Sequence, residues 1–289
     1  MLQAIFYIVL TASVVLSTPL KRAIDDTTVL NFALTLEHLE NAFYQSALAK
    51  FDAKAFTDAG LPAFARGRFA QVAAHEQTHV KFLSDALGDK ATKPCVYNFP
   101  YTDPKSFAAL SQVLEGVGTS AYTGAAQLIS NKDYLTAAAS VLATEARHAS
   151  WVASAVNKFS GWSGSFDVPL GLNQVFTLAA AFITSCPSTN PTLPVHAFPA
   201  LTVTGAVPGK NAAISAPNAT STPTHIAFFT GFDKLFAEIQ NGHVTVPTGL
   251  AGQVYAVATT SATQATDDVI VAGPTILLFE TDSNNNLVV

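Results

Sequence analysis

Two glutamate–histidine pairs with identical spacing occur along the chain, and each follows a single glutamate. A Glu and a His three residues apart lie just under one helical turn from each other, so both can project from the same side of one helix. Four helices that carry Glu, Glu-x-x-His, Glu and Glu-x-x-His can direct six side chains at one point, which is enough for two metal ions. The six candidates are Glu37, Glu76, His79, Glu115, Glu145 and His148.

The types of these side chains indicate which metals they would bind. Four carboxylates and two imidazoles suit iron first, manganese second and zinc third. Four negative charges balance two divalent ions and leave coordination positions for water, O₂ or peroxide. The set therefore predicts a dinuclear site with oxidase, ferroxidase or peroxide-consuming activity. The alternative is a polar core that holds no metal.

The apolar pattern of the sequence places the six candidates on helices. We predict helices at 27–50 and 62–88, a third after Asp103-Pro104, a fourth from Asn131, and a fifth at 169–184. The candidates fall in the apolar stripes of the first four, where an unpaired charge is costly. Six such residues on four consecutive helices require one joint explanation.

The composition changes after Cys186, where four prolines up to residue 199 form a linker-like stretch. Short apolar segments separated by Gly and Pro follow, and they predict a small antiparallel β-sandwich. Strands are expected at 201–207, 225–232, 243–246, 253–260, 268–271 and 275–279. The predicted fold class is therefore α+β, with a helical domain at 23–187 and a β domain at 195–289.

Residues 1–22 are predicted to be a signal peptide and short propeptide. The apolar run is short for a bilayer span and ends in small residues, as secretory signals do. Lys21-Arg22 resembles a kexin-type processing site, and an uncleaved amphipathic tail is the alternative. No later segment is long and apolar enough to span a membrane, and only 12% of the residues are charged. We expect a secreted protein, extracellular or at the cell surface.

Two further features agree with secretion. Cys95 and Cys186 are the two cysteines of the chain, and in an oxidising compartment they would pair and fix the fifth helix to the bundle. Two free buried thiols are the alternative. Asn218-Ala219-Thr220 is an acceptor sequence for N-glycosylation. The net charge of −5, without a basic tract, favours no nucleic-acid partner.

Four segments of the helical region have a distinctive order of residues. They read LEHLENAFY at 36–44, HEQTHVKFL at 75–83, LEGVGTSAYTGAA at 114–126, and TEARH at 144–148. Together with YNFP at 97–100, they resemble ferritin-like proteins of the desiccation-related and fungal stress-response type. The resemblance covers about residues 26–187 and implies a ferritin-like four-helix bundle, whereas the strand-rich tail is similar only loosely to an extension of the fungal members.

The resemblance also implies a role for each candidate. In the ferritin-like class the single glutamates are terminal ligands, the glutamates of the pairs bridge the two ions, and the histidines are terminal nitrogen ligands. Tyr44 and Tyr122, each seven residues after a single glutamate, match a tyrosine near the dimetal site and are the candidate catalytic residues. Ordinary core packing is the alternative for both. The leader and the second domain are not features of a closed iron-storage cage.

Three functions are compatible with these observations. The first is a secreted stress-response protein that uses two metal ions with O₂ or peroxide. The second is a non-enzymatic stress-protective protein whose β domain contacts the cell wall or another copy of the chain. The third and weakest is a zinc metalloprotease, in which His75 and His79 bind zinc and Glu76 is the general base. That alternative gives Glu145-x-x-His148 no role, and Phe82 replaces the glycine of one large protease class.

Overall fold

The computed structural model describes residues 24–284 and 286–288. The predicted leader, residues 1–22 with Lys21-Arg22, lies outside the described residues. Within the described ranges, no helix combines the length and the hydropathy that a bilayer span requires.

The N-terminal part of the described chain is a helical bundle. Its helices are α1 (Asp26–Lys50), α2 (Ala53–Asp58), α3 (Ala65–Leu87), α4 (Pro104–Ala125), α5 (Lys132–Trp151) and α6 (Leu172–Ala180). A π-helical turn, Val152–Val156, extends α5. Helix α1 packs mainly on α3, and α4 packs mainly on α5. The bundle therefore consists of two helical pairs. One pair carries Glu37 and Glu76-x-x-His79, and the other carries Glu115 and Glu145-x-x-His148.

Local capping determines where these helices begin. Asp103 accepts hydrogen bonds from the backbone N–H groups of Lys105 and Ser106, and Pro104 occupies the first turn. Asn131 caps α5 in the same way. Side-chain oxygens at these positions satisfy N–H groups that have no partner within the helix. The predicted starts of the third and fourth helices are thus confirmed, whereas α3 begins at Ala65 and not at Pro62.

The predicted fifth helix, 169–184, is too long at both ends. The observed α6 begins after Gly171, whose N–H donates to the Gln174 side chain at 2.8 Å. At the other end, β-branched residues favour a strand, and β2 (Ile183–Ser185) pairs antiparallel with β1 (Val96–Tyr97). Cys186 therefore follows a strand. It forms a disulfide with Cys95 across 91 residues, which confirms the predicted pairing.

The C-terminal part forms two antiparallel sheets, as expected for the predicted α+β class. The strands are β3 (Thr202–Thr204), β4 (Asn211–Ser215), β5 (His225–Thr230), β6 (Asp233–Glu238), β7 (His243–Thr245), β8 (Gly252–Thr259) and β9 (Ile270–Phe279). One sheet has the order β3-β4-β7, and the other has the order β6-β5-β8-β9.

Three strands of the two C-terminal sheets differ from the sequence prediction. Strands β4 and β6 were not predicted, because β4 is rich in alanine and β6 carries charges at the edge of its sheet. Gly273-Pro274 separated two predicted strands, yet β9 runs through both. The register of β8 and β9 shifts between Ala256 and Ala258, and this bulge accommodates a proline that would otherwise interrupt the ladder.

The four-stranded sheet is buried on both faces. Phe228 shares a core with Val244 of the three-stranded sheet, whereas Phe229 and Tyr255 belong to the core of the helical bundle. The Tyr255 hydroxyl donates to the backbone oxygen of Gly116 on α4 at 3.0 Å. The layers are therefore helices, four-stranded sheet and three-stranded sheet. The separation into domains at 187 and 195 stays a prediction.

Helix α4 contacts the chain before α6 so closely that only glycine fits at position 124. A Cβ atom there would lie 1.9 Å from the backbone oxygen of Leu170. We expect Gly124→Ala to lower the free energy of unfolding by at least about 2 kcal/mol, because backbone must move to relieve the overlap. Urea unfolding followed by circular dichroism measures the change.

Gly67 on α3 provides the matched control, since a Cβ atom there meets nothing within 4 Å. Gly67→Ala should be neutral or stabilising by roughly 0.5–1 kcal/mol, as expected for a helix interior. Equal unfolding midpoints for the two variants would show that the contact with Leu170 does not limit stability.

Candidate metal centre

All six predicted ligands meet in the interior of the bundle. Helix α1 contributes Glu37 and α4 contributes Glu115, while α3 and α5 each contribute one pair. The four glutamates have no exposed surface. Two groups of residues have ligand atoms that all lie within 4.8 Å of one another. They are Glu37, Glu76, His79 and Glu145, and Glu76, Glu115, Glu145 and His148.

Each histidine lies between carboxylates from different helices. His79 Nδ1 is 3.1 Å from an oxygen of Glu76 and 3.2 Å from Glu37, and Glu145 follows at 3.5 Å. His148 Nδ1 is 3.1 Å from Glu115 and 3.3 Å from Glu76. Glu76 therefore lies between the two imidazoles. Each histidine also contacts the single glutamate of its own helical pair, Glu37 for His79 and Glu115 for His148.

Three carboxylate oxygens in this cluster lack a hydrogen-bond partner within the described chain. They are both oxygens of Glu145 and Oε1 of Glu76. A buried, unpaired carboxylate oxygen is expensive, and native proteins rarely keep one without a bound ion or water. The unpartnered oxygens belong to the two residues that both groups share. This donor set fits bound metal better than it fits a closed polar core.

In the absence of a cation, the negative charge of the site favours the protonated form of both histidines. Burial alone would lower the pKa of His79 and His148, but contacts with Glu37, Glu76 and Glu115 outweigh it and raise them to about 10 and about 9. Burial would raise the pKa of Glu76, but the close approach of both imidazoles, His79 and His148, lowers it to about 2.

For two other candidate ligands, Glu37 and Glu145, the pKa of the carboxyl group is raised and not lowered. Burial raises the pKa of Glu37 to about 7, and the charge of Glu76 adds to the effect. The pKa of Glu145 is raised well above its usual value, first by burial and then by the charges of Glu76 and Glu40. In the metal-free protein, protons on Glu37, Glu145 and the two histidines neutralise part of the negative charge that bound metal ions would balance.

These shifts predict that the metal-free protein becomes less stable as pH rises. Glu37 keeps its proton above the ordinary value of 4.5, and His79 and His148 keep theirs above 6.5. The folded state thus binds more protons than the unfolded chain, and this stabilisation is lost as pH rises towards 10. We expect the melting temperature of metal-free protein to fall on the order of 5–10 °C between pH 6 and pH 9.

Differential scanning fluorimetry with a chelator tests this pH dependence, and His79→Gln should flatten it. The control is His243→Gln, because His243 is exposed on β7, outside the cluster. Manganese should restore more stability at high pH than at low pH, since binding displaces these protons. A melting temperature that rises with pH in the metal-free native protein would contradict the assignment.

Each candidate tyrosine donates a hydrogen bond to a different glutamate of the site. Tyr122 donates to Oε1 of Glu37 at 2.5 Å. Tyr44 donates to Oε1 of Glu115, and its hydroxyl is 2.7 Å from Ser111 Oγ. Burial, reinforced by the neighbouring carboxylates, raises the pKa of both phenols well above their usual value. Each hydroxyl can therefore orient one carboxylate oxygen and leave the other free to bind a cation.

Glu40, one helical turn after Glu37, is a fifth interior carboxylate. It is only 5% exposed, and burial followed by the charges of Glu37, Glu115 and Glu76 raises its pKa well above the usual value. A Cβ atom at Gly118 would lie 2.7 Å from Glu145 Oε2 and 3.0 Å from Glu40 Oε1. Gly118 thus provides the space in which two carboxylates approach. The spacing of three residues between Glu37 and Glu40 is the feature of the sequence that could have indicated this burial.

His75 belongs to neither group of candidate ligands. Its Nδ1 atom is 2.9 Å from His148 Nε2, and the two rings stack. His75 lies on the solvent side of His148 and is itself exposed. A zinc site built on His75 and His79 would require the two imidazoles to share an ion, whereas the structure groups His79 with three carboxylates.

The predicted glycosylation site is exposed. Asn218 lies in the turn after β4, with its side chain on the surface. The position is accessible to modification, and its glycosylation stays a prediction.

Comparison with known proteins agrees with this architecture. Residues 25–158 match a family model described as a ferritin-like domain. A stretch of 175 residues, 60% of this chain, is 29% identical to Protein rds1 of Schizosaccharomyces pombe. The match spans 42% of the length of that fungal protein. These findings confirm the predicted resemblance to ferritin-like proteins and the helical part of the predicted fold.

Proposed function

Because residues 25–158 form a ferritin-like domain, we propose that its interior Glu and His side chains bind two metal ions, with iron preferred over manganese. The protein would act outside the cell in stress-related metal chemistry, as an oxidase, a ferroxidase or a peroxide-consuming enzyme. The single observation that carries the proposal is that two groups of buried ligands share Glu76 and Glu145. Shared carboxylates with unpartnered oxygens are what a bridged pair of cations requires.

The ligand roles follow from the positions of the side chains. Glu76 and Glu145 would bridge, since each belongs to both groups. Glu37 and His79 would complete one group, and Glu115 and His148 would complete the other. These assignments agree with the roles that the ferritin-like resemblance implies.

The chain itself contributes positioning and the exclusion of water. Bound iron or manganese would supply the redox chemistry with O₂ or peroxide. Tyr44 and Tyr122 hold the outer carboxylates by hydrogen bonds, and their buried hydroxyls are the nearest groups that can hold or move a proton at those oxygens. The complete burial of the carboxylates limits competing hydrolysis and proton leakage.

An apolar chamber offers a route for a small uncharged reactant. It has a volume of about 550 Å³ and lies between α1, α4, α6 and β9. Glu40 and Gly118 form part of its wall. A Cβ atom at Gly118 would lie 2.7 Å from Glu145 Oε2, so the chamber lies beside the interior carboxylates. A small apolar molecule such as O₂ would lose little on entering such a chamber.

The extracellular location rests on three features of the chain. The leader and its dibasic site are predicted from the sequence, Asn218 is exposed, and Cys95 is bonded to Cys186. Disulfides persist mainly in oxidising compartments. The alternative is a non-enzymatic, stress-protective protein whose metal serves stability and whose β region contacts the cell wall or a second copy.

Anaerobic loading with Fe(II) followed by mixing with O₂ or peroxide separates these functions. We expect rapid oxidant consumption with a change in visible absorbance, loss of both in Glu76→Ala, and near-native rates in His75→Ala. A folded protein that binds iron but consumes neither oxidant would favour the non-enzymatic function. Peptide hydrolysis that disappears in His75→Ala would favour the metalloprotease.

A further inference from the structure

A second cleft, of about 520 Å³, lies where the helical region meets the β region. It is lined by α4, α5, the segment 160–168 and the ends of β8 and β9. The chain contains two tryptophans, and both Trp151 and Trp162 line this cleft. The Trp162 side chain is 73% exposed. Trp151 is half-buried and packs on Phe69. A large exposed aromatic side chain at a concave site, such as Trp162, is typical of binding surfaces.

The polar lining of the cleft is rich in groups that can recognise hydroxyls. The side chains of Arg147 and Asp167 are exposed there, and they make no hydrogen bond or ion pair within the part of the chain that the structure describes. Glu280 accepts a hydrogen bond from Gln112 at 2.6 Å, and Gln112 in turn accepts one from Asn157 at 2.7 Å. The cleft thus combines open donors and acceptors with a buried amide–carboxylate network behind them.

The walls of the cleft are fixed before any ligand arrives. A Cβ atom at Gly252 would lie 2.3 Å from Ser163 Cα, so the loop and the strand touch through backbone. The Gln253 N–H donates to Ser163 Oγ at 2.9 Å, and its side chain donates to Val113 O at 3.2 Å and to the Tyr255 hydroxyl at 2.8 Å. A rigid site loses less conformational entropy on binding, which favours weakly interacting ligands.

We propose that this cleft binds a neutral oligosaccharide. A sugar ring presents a C–H face that stacks on an indole, and a rim of hydroxyls that both donate and accept hydrogen bonds. The cleft has two carboxylates, Asp167 and Glu280, against one guanidinium, Arg147, so its charge does not favour an anionic ligand, and the polar lining disfavours an apolar one. The site is built from other residues than the candidate metal ligands, so it does not depend on the proposed redox function.

Isothermal titration with laminarihexaose, cellohexaose and chitohexaose tests the proposal on the full chain. Because both tryptophans line the cleft, tryptophan emission should change on titration with any hexasaccharide that binds. We expect at least one of the three to bind and Trp162→Ala to weaken that binding about tenfold or more, since aromatic anchors dominate such sites. The control is Phe82→Ala, which removes an aromatic side chain that is 45% exposed and lies elsewhere.

Failure of all three hexasaccharides to bind at millimolar concentration would exclude this ligand class, and so would equal affinities for the native protein and Trp162→Ala. Binding should also persist in the presence of a metal chelator and in Glu76→Ala. Binding that disappears with the metal would place the sugar at the metal centre and not in this cleft.

Discussion

Replacement of Glu76 by alanine is expected to remove both metal ions from the purified protein. Glu76 lies between His79 and His148 and belongs to both groups of candidate ligands. Without it, each group retains three ligands and the two cations lose a shared negative charge. Glu37→Ala removes a residue of one group only, so we expect that variant to retain about one metal ion per chain.

Elemental analysis after loading and dialysis measures these stoichiometries. Glu238→Ala is the control, because this glutamate is exposed on β6 and far from the bundle interior in the fold. Circular dichroism establishes that each variant is folded. Native metal content in a folded Glu76→Ala variant would show that this residue is not a bridging ligand.

Loss of the disulfide between Cys95 and Cys186 is expected to be the largest single change in stability. The bond joins Cys95, before β1, to Cys186, directly after β2, and the two cysteines are 91 residues apart in the sequence. Closing a loop of this length stabilises a native protein by roughly 4 kcal/mol in the chain-entropy description. Cys95→Ser with Cys186→Ser should therefore lower the free energy of unfolding by roughly 3–5 kcal/mol.

Urea unfolding of the native protein, with and without a reductant, provides the matched comparison. The reduced native protein and the double serine variant should unfold at the same denaturant concentration, well below that of the oxidised protein. A variant as stable as the oxidised protein would indicate that β1, β2 and their apolar contacts hold this segment without the covalent link.

The bundle could be predicted from local features of the sequence. Asp103 and Asn131 mark helix starts because capping depends on neighbouring residues alone. The three-residue spacing of each Glu-x-x-His pair fixes which side chains share a helical face. Convergence of four helices follows once each must bury its apolar stripe, and so the composition of the candidate site could be predicted as well.

Other features depend on contacts between distant residues, which no local pattern contains. Glu40 is one of these features, because a charged residue one helical turn from Glu37 is usually solvated. Its burial follows from the position of α4, where Gly118 leaves the space. Strand β4 is equally inconspicuous in the sequence, because its alanines have low strand propensity and it is held by pairing with β3 and β7.

The end of α6 shows the same dependence on tertiary structure. Residues 181–184 continue an apolar helical pattern, yet Ile183 pairs with Tyr97 and Ser185 with Val96. The disulfide at Cys186 and the ladder to β1 together stabilise the extended form. Local propensity was outweighed by pairing with a segment 86 to 91 residues away.

Anomalous diffraction from crystals loaded with manganese tests most directly whether the bundle holds a pair of cations. Two peaks are predicted between α1, α3, α4 and α5. One should lie among Glu37, Glu76, His79 and Glu145, and the other among Glu76, Glu115, Glu145 and His148. Absence of any peak among these side chains in crystals that contain bound manganese elsewhere would contradict the assignment of the site.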